Sequence, residues 1–378
     1  MKINVLLIAH LSDLSGANRA LLELADEIKK NYSQKINLIV TIPKKGDLGI
    51  ELNNIGIEYK IVYSGTWAAI NSENKLKKCI KKILNKSAEK KIKKIIVDNQ
   101  IDVVHFNSTV YGVGAETCLK LQIPYIFHLR EMAKETFEMR FYNEEVSMEL
   151  IEKSYVTISI SEMIKKHYEN ILKLKKNILV YDGLPKTKNN YVKRSFSQPN
   201  ILLVGAISPD KGQLEALKSL RLIKNRVPNV KLTIIGKNID MAYKRKIDDF
   251  IYKNNLENNV LIKGFSNNIK KYREENDFVF VTSVNEAFGR VTVEAFASGQ
   301  IVIGANTGGT SEIISSRKIG RIYEQGNPES LALTFMELFH NPECCRKISL
   351  YAIEEFNVKY SLSESVNKIA SIYEELVE

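Results

Sequence analysis

The sequence predicts an α/β protein made of two Rossmann-like, doubly wound parallel-sheet domains. Short apolar, β-branched runs alternate with amphipathic stretches along the whole chain, which is the pattern of repeated βαβ units. The apolar runs are continuous rather than alternating, as suits strands buried on both faces of a sheet. One polar, proline-bounded stretch, LPKTKNNYVKRSFSQPN (184–200), interrupts the alternation before it restarts. The chain has 378 residues, a length that suits two domains of ordinary size.

The elements follow in order. INVLLIAH (3–10) reads as a strand and ANRALLELADEIKK (17–30) as a helix. KINLIVTIP (35–43), VVHFN (103–107), PYIFHL (124–129), YVTISIS (155–161) and NILVYDG (177–183) read as further strands and complete the first half. Residues 184–199 are the expected linker. NILLVGAI (200–207), KLTIIG (231–236), NVLIKG (259–264), FVFVTS (278–283) and QIVIGAN (300–306) are the strands of the second half, with helices between them. The expected domains are 1–183 and 200–361, with a terminal helix over 362–378 returning to the first. Open sheets of this kind bind ligands outside the carboxyl ends of their strands, so the two domains are expected to face a shared cleft.

Composition narrows the class. Hydrophobic residues make up 44% and charged residues 26%, close to a globular average, which excludes wholesale disorder and fibrous repeats. The N-terminal apolar run has about seven apolar residues before His10 and reads as a buried strand, not a signal peptide. No run reaches the roughly 18 apolar residues that a membrane span needs. Cys79, Cys118, Cys344 and Cys345 form no CxxC pattern, so neither a zinc site nor a disulfide framework is indicated, and a reducing cytoplasm fits. The formal charge is +11, and it is uneven. Residues 1–200 carry 32 Lys/Arg against 22 Asp/Glu, while residues 201–378 carry 23 against 22.

Three segments carry chemistry. SVNEAFGRVTVEAFASG (283–299) places Glu286 and Glu294 eight positions apart, with Phe288-Gly289-Arg290 leading into a short helix. Gly289 permits close backbone approach. The free N–H groups and dipole of the helix start favour an anion, and Glu294, one turn in, can accept from sugar hydroxyls. An ordinary surface helix with two exposed glutamates is the plain alternative. VGAISPDKG (204–212) ends a strand at Gly205 and presents Lys211 before a helix beginning around Gln213, where a lysine can hold a phosphate as a point charge. A solvated turn lysine is the commoner case. SDLSGANRALLEL turns through Gly16 into the first helix and could cradle a second phosphate.

Taken together, these segments resemble the family 4 retaining glycosyltransferases of the GT-B fold, particularly those of bacterial capsule and exopolysaccharide clusters. The E-x7-E element at Glu286 and Glu294 matches, as do Lys211-Gly212 and ANTGGTSEII (305–314). SGANRALLEL resembles the family's glycine loop, PYIFHLRE (124–131) its histidine strand, and YDGLP (181–185) its approach to the hinge. The matches run in order over nearly the whole chain.

The resemblance implies a nucleotide diphospho-sugar donor held mainly by the second domain. Glu294 would bind the ribose hydroxyls and Lys211 would neutralise the diphosphate. The backbone at Gly205, Phe288, Gly289, Arg290 and Val291 would meet phosphates or sugar. Glu286 would lie near the reacting carbon, and Gly264 and Phe265 would line the base pocket. From the first domain, Gly16 would approach the diphosphate and His128 would touch the transferred sugar or the acceptor. Glu286, His128 and Lys211 are the catalytic candidates, and His10, His105, Arg130 and Glu131 would shape the acceptor side. A lone histidine near an apolar strand is more often structural. The chain contains no DxD motif, so no metal and no cofactor are expected. Many members carry an arginine directly after the glycine matching Gly205. Here that position is Ala206, and Arg290 is the candidate to compensate. A nucleotide-sugar 2-epimerase, or a catalytically silent GT-B partner of another transferase, are the alternative functions.

One segment stands apart. KLKKCIKKILNKSAEKKIKK (75–94) holds ten lysines and one acid, Glu89. Leu76, Cys79, Ile80, Ile83, Leu84, Ala88 and Ile92 fall on one helical face, with Trp67 upstream as an amphipathic ring. Such a helix suits an anionic membrane leaflet near a glycan or lipid-linked acceptor. Docking of the apolar stripe on the sheet, with solvated lysines, is the alternative. No aromatic interleaving or motif supports nucleic-acid binding.

Overall fold

A computed structural model describes residues 2–70, 75–137, 139–186, 194–266 and 268–378. The chain divides into two compact units, residues 1–185 with 362–378, and residues 186–361. Of the linker expected over 184–199, residues 187–193 lie outside the described residues.

The first unit opens with strand β1 (Ile3–Ile8), helix α1 (Gly16–Asn31), β2 (Ile36–Ile42), α2 (Asp47–Asn54), β3 (Glu58–Ile61) and β4 (Ala68–Ile70). The long α3 (Lys75–Asp98) then leads to β5 (Val103–Phe106), α4 (Ala115–Leu121), β6 (Tyr125–Leu129) and α5 (Ala133–Phe137). β7 (Met139–Phe141), α6 (Glu144–Glu152), β8 (Val156–Ser159), α7 (Glu162–Ile171) and β9 (Asn177–Leu179) complete it. Seven strands form a sheet in the order β3-β2-β1-β5-β6-β8-β9, every pairing parallel. The order reverses between β1 and β5, which makes their carboxyl ends the switch point of a doubly wound sheet. β4 and β7 pair separately as an antiparallel ribbon.

Sequence explains these elements locally. Val5, Leu6, Leu7 and Ile8 of β1 are all buried, as a central strand covered on both faces requires. In α1, Ala20, Leu21, Leu24, Ala25 and Ile28 form the single buried stripe expected of a helix laid on a sheet. Ser161 caps α7 by accepting the Ile164 N–H at 3.2 Å, satisfying a donor that the helix cannot.

The second unit repeats the plan. β10 (Asn200–Val204), α8 (Gln213–Lys224), β11 (Lys231–Ile235), α9 (Met241–Lys253), β12 (Val260–Lys263) and α10 (Ile269–Glu275) come first. β13 (Phe278–Val281), α11 (Arg290–Ala297), β14 (Ile301–Ala305), α12 (Gly308–Ile313), β15 (Arg321–Tyr323), α13 (Pro328–Phe339) and α14 (Pro342–Lys359) follow. Its six strands run parallel in the order β12-β11-β10-β13-β14-β15, with the reversal between β10 and β13. α15 (Leu362–Glu375) packs Leu362, Val366, Ile369, Ala370, Ile372 and Tyr373 into the core of the first unit.

α3 packs by its second half only. Ala88, Ile92, Ile95 and Ile96 are buried, whereas Leu76, Ile80, Ile83 and Leu84 are exposed. The side chains of Lys75, Lys77 and Lys78 lie outside those described. Glu89, the segment's one acid, is structural: it accepts the Gly114 N–H at 2.7 Å and the Thr117 hydroxyl at 2.6 Å, joining α3 to α4. Trp67 is not an interface ring. It stacks on Phe127 with centroids 5.8 Å apart and donates from Nε1 to the Thr109 carbonyl at 2.7 Å.

Candidate functional site

In the second unit, the turn after β10 and the loop after β13 meet at the switch point. Lys211 ends a short 3-10 turn (Pro209–Lys211), and Gly212 follows in the left-handed region at φ +67°. A Cβ at Gly212 would lie 2.2 Å from the Thr282 carbonyl oxygen, so a glycine there lets the two loops close. Thr282 donates its hydroxyl to the Lys211 carbonyl at 2.9 Å, and the Val284 N–H donates to the Asp210 carbonyl at 2.9 Å. The Lys211 side chain passes Gly205, where a Cβ would meet it at 3.4 Å. Lys211 then donates from Nζ to Oε1 of Glu286 at 2.8 Å.

The loop carrying Glu286 is fixed from below by the glycines of α12. The Gly309 N–H donates to the Glu286 carbonyl at 2.7 Å. A Cβ at Gly309 would lie 2.0 Å from the Phe288 carbonyl oxygen, and one at Gly308 would lie 2.6 Å from the Glu286 nitrogen. The chain then turns at Gly289, φ +104°, the N-cap of α11. Phe288 is buried, whereas Arg290, Val291 and Glu294 are partly exposed. The N–H groups of the first turn and the dipole of α11 favour an anion at that end. Glu294 pairs through Oε2 with Nη2 of Arg273. Ala206 is partly exposed in the turn after β10, and its carbonyl accepts from Nε2 of Gln213 at 2.7 Å. Gly264 and Phe265 follow β12. Both are exposed, Phe265 at 63%.

In the first unit, the carboxyl ends of β1, β5 and β6 hold a dense polar cluster. Glu131 is buried, and its Oε1 accepts the Ser108 hydroxyl at 2.5 Å, the Thr109 N–H at 2.9 Å and the Thr109 hydroxyl at 2.6 Å. Arg130 donates from Nη1 to both oxygens of Asp182, at 2.6 and 2.5 Å, and from Nε to Asn107 at 3.0 Å. Asn107 in turn donates to the Ala17 carbonyl at 3.0 Å, fixing the start of α1 beside Gly16. His10 stands at the end of β1, partly exposed. Burial lowers its pKa, with opposing contributions from Glu131 and Arg130.

His128 and His105 are each the next-to-last residue of their strands, β6 and β5. His128 is 1% exposed and His105 0%. Their rings stack with centroids 5.3 Å apart. His105 Nδ1 lies 2.6 Å from the hydroxyl of Tyr373 on α15. Burial, reinforced by the Arg130 cation, pushes His105 down to about 3 and holds His128 well below its ordinary value. Both are therefore neutral buried groups at pH 7, with His128 Nδ1 3.3 Å from Nη2 of Arg130. Arg130, Glu131 and His10 are the polar groups at the strand ends. The sequence reading missed Arg273, Gln300 and Asp182. Arg273 lies in KKYREEN, which reads as a solvated run. Its only local signal is that it shares a helical face with Ile269.

Residues 187–355 match the family described as Glycosyl transferases group 1. An uncharacterized glycosyltransferase of Methanocaldococcus jannaschii is 30% identical over 296 residues, covering 75% of this chain and 78% of that one. The capsular polysaccharide biosynthesis glycosyltransferase CapM of Staphylococcus aureus is 31% identical over 172 residues, covering 45% of this chain and 44% of that one. The fold matches that of Anabaena HepE, solved in complex with UDP and glucose, with a TM-score of 0.80 at 18% identity over 99% of this chain and 100% of that one. The architecture is thus GT-B, built from two parallel-sheet α/β domains. The chain belongs to the group 1 glycosyltransferases and is a glycosyltransferase.

Proposed function

We propose that this enzyme moves a sugar from a nucleotide diphospho-sugar to a glycan or lipid-linked glycan, with retention of configuration and without a metal, in bacterial surface polysaccharide synthesis. The observation that carries the reading is the meeting of Lys211 and Glu286 at the switch point of the second sheet, beside the start of α11. As the glycosidic bond breaks, negative charge grows on the leaving diphosphate. Lys211 and the first-turn N–H groups of α11 are fixed where they stabilise that charge. Such preorganised donors supply the compensation that a metal gives in other transferases. Glu294 takes the ribose hydroxyls, Gly264 and Phe265 flank the base, and Glu286 attends the sugar near its reacting carbon. In the first unit, Arg130, Glu131 and His10 serve the acceptor side.

The capsular relative and the UDP complex of the structural neighbour support the polysaccharide and nucleotide-sugar parts of this reading. The acceptor is proposed to lie at an anionic membrane, on the inner face of which α3 docks. Exposed Leu76, Ile80, Ile83 and Leu84 beside many lysines favour that placement. Among the described residues no helix is long and apolar enough to cross a membrane.

A panel of nucleotide sugars with purified protein tests the reaction. Slow hydrolysis of one donor with release of the sugar in its original anomeric form, followed by NMR, is the expected result. An isomerised sugar would instead show a 2-epimerase. No turnover of any donor, with or without acceptor, would show a silent partner subunit.

A further inference from the structure

The carboxylate of Glu294 is not held by α11 alone. Arg273, on α10, is 6% exposed. Its Nη2 pairs with Oε2 of Glu294, and its Nη1 donates to Oε1 of Gln300 at 3.1 Å. Gln300 is fixed in turn, donating from Nε2 to the Asn276 carbonyl at 2.8 Å. The Arg273 backbone is fixed as well, because its carbonyl accepts from Nη2 of Arg194 at 2.8 Å. Arg194 is also 6% exposed and spans the Asn276 and Ser298 carbonyls, tying α10 to the end of α11. A planar guanidinium held on its other edge by Gln300 can present Nη2 in only one direction. Oε1 of Glu294 meets no donor among the described residues.

We propose that Arg273 is the positioning residue that sets Glu294 for the ribose diol. It engages Oε2 and leaves Oε1 aimed for a sugar hydroxyl. A free glutamate on an exposed helix face samples several rotamers, and fixing one removes that entropy from ligand binding. The burial of Arg273 follows from this role. An arginine taken out of water needs several partners to offset its desolvation, and this one has Glu294 and Gln300, whose own amide is anchored. The inference rests on the donor reading above, and the test separates the two.

The probe is the nucleoside diphosphate that binds the wild type among UDP, GDP, ADP and CDP, compared by calorimetry with its 2′,3′-dideoxy counterpart. The readout is the ratio of the two dissociation constants. E294A is expected to abolish the preference for ribose, and its survival would contradict the ribose role of Glu294. R273Q is expected to cut the ratio about tenfold while leaving dideoxy binding unchanged, and R273K to fall between. A wild-type ratio in R273Q, or equal weakening of both ligands as a merely structural role would give, overturns the proposal. If R273Q does not fold, R273K carries the test. A ratio about threefold below wild type is then expected, and an unchanged ratio overturns it. Binding of none of the four would contradict the donor reading and this inference with it.

Discussion

Lys211 and Glu286, seventy-five residues apart, are joined directly, Nζ to Oε1 at 2.8 Å. The bond links the turn after β10 to the loop after β13, the two strands that flank the switch point of the second sheet. An ammonium group has three donors, so one bond to Glu286 orients the cation and leaves donors for a diphosphate. The same bond fixes a carboxylate beside the proposed diphosphate site.

Glu286→Gln keeps the size of the side chain and removes its charge. If Glu286 attends the sugar near the reacting carbon, kcat for donor hydrolysis should fall about 10²-fold with KM changed little, the pattern of a contact strengthened in the transition state. Steady-state kinetics check this. A rise in KM at unchanged kcat would reassign Glu286 to holding Lys211.

Gly309→Ala tests the support of the Glu286 loop. Its Cβ would meet the Phe288 carbonyl at 2.0 Å, which the backbone must move to relieve. Loss of about 2 kcal/mol of stability and a fall in activity of at least about tenfold are expected from denaturant unfolding and turnover. Gly326 is the control. It sits at φ +81°, and a Cβ there would meet nothing within 4 Å, so Gly326→Ala should cost about 1 kcal/mol of backbone strain and leave activity intact.

The buried pair His105 and His128 makes stability depend on pH. Both pKa values are lowered in the folded chain, His105 to about 3. Below the unfolded value near 6.5 the unfolded chain takes up protons that the folded chain does not, so stability falls as pH falls. The window opens at about 6.5 and for His105 runs down to about 3. Each histidine contributes about 1.4 kcal/mol per pH unit within it. Urea unfolding of the wild type and His128→Gln at pH 7 and pH 5.5 checks this, and the variant should show the shallower loss. Equal loss in both would place the effect elsewhere.

The exposed, lysine-rich face of α3 is the predicted membrane face. Flotation should recover the protein with anionic vesicles and not with neutral ones. Replacing the exposed Lys82, Lys86, Lys90 and Lys93 by glutamate should lower recovery at least about a hundredfold in affinity, at about 1 kcal/mol for each lysine. Equal recovery with both vesicle types, or no loss in the variant, contradicts this placement.

The strands were legible because strands buried on both faces leave continuous apolar runs, and β1, β6, β10, β13 and β14 each lie inside the run that marks them. The runs overshoot at their carboxyl ends. NILLVGAI continues to residue 207 although β10 ends at Val204, and FVFVTS to 283 although β13 ends at Val281. The overshoot is physical, since the chain stays packed as it leaves the sheet. Gly205, Thr282, His10 and Asp182 all lie in these tails. Three-residue strands such as β4, β7 and β15 leave no such run. The meeting of the two loops of the candidate site was legible where glycine and charge sit close in sequence, as at Lys211-Gly212 and Glu286 to Glu294. Arg273 was not, because its contacts with Glu294 and Gln300, 21 and 27 residues away, leave no mark in the local sequence. The burial of His128 was not legible either, because a histidine at position four of the five-residue β6 gives no local sign of how deeply it is covered.

The proposed reaction depends on Lys211 holding the diphosphate of a nucleotide sugar. Calorimetric titration of UDP, GDP, ADP and CDP into the wild type and Lys211→Ala tests it most directly. At least one of the four should bind the wild type, and Lys211→Ala should weaken it by about tenfold or more. Binding of none of them, or binding that the substitution leaves unchanged, would contradict it.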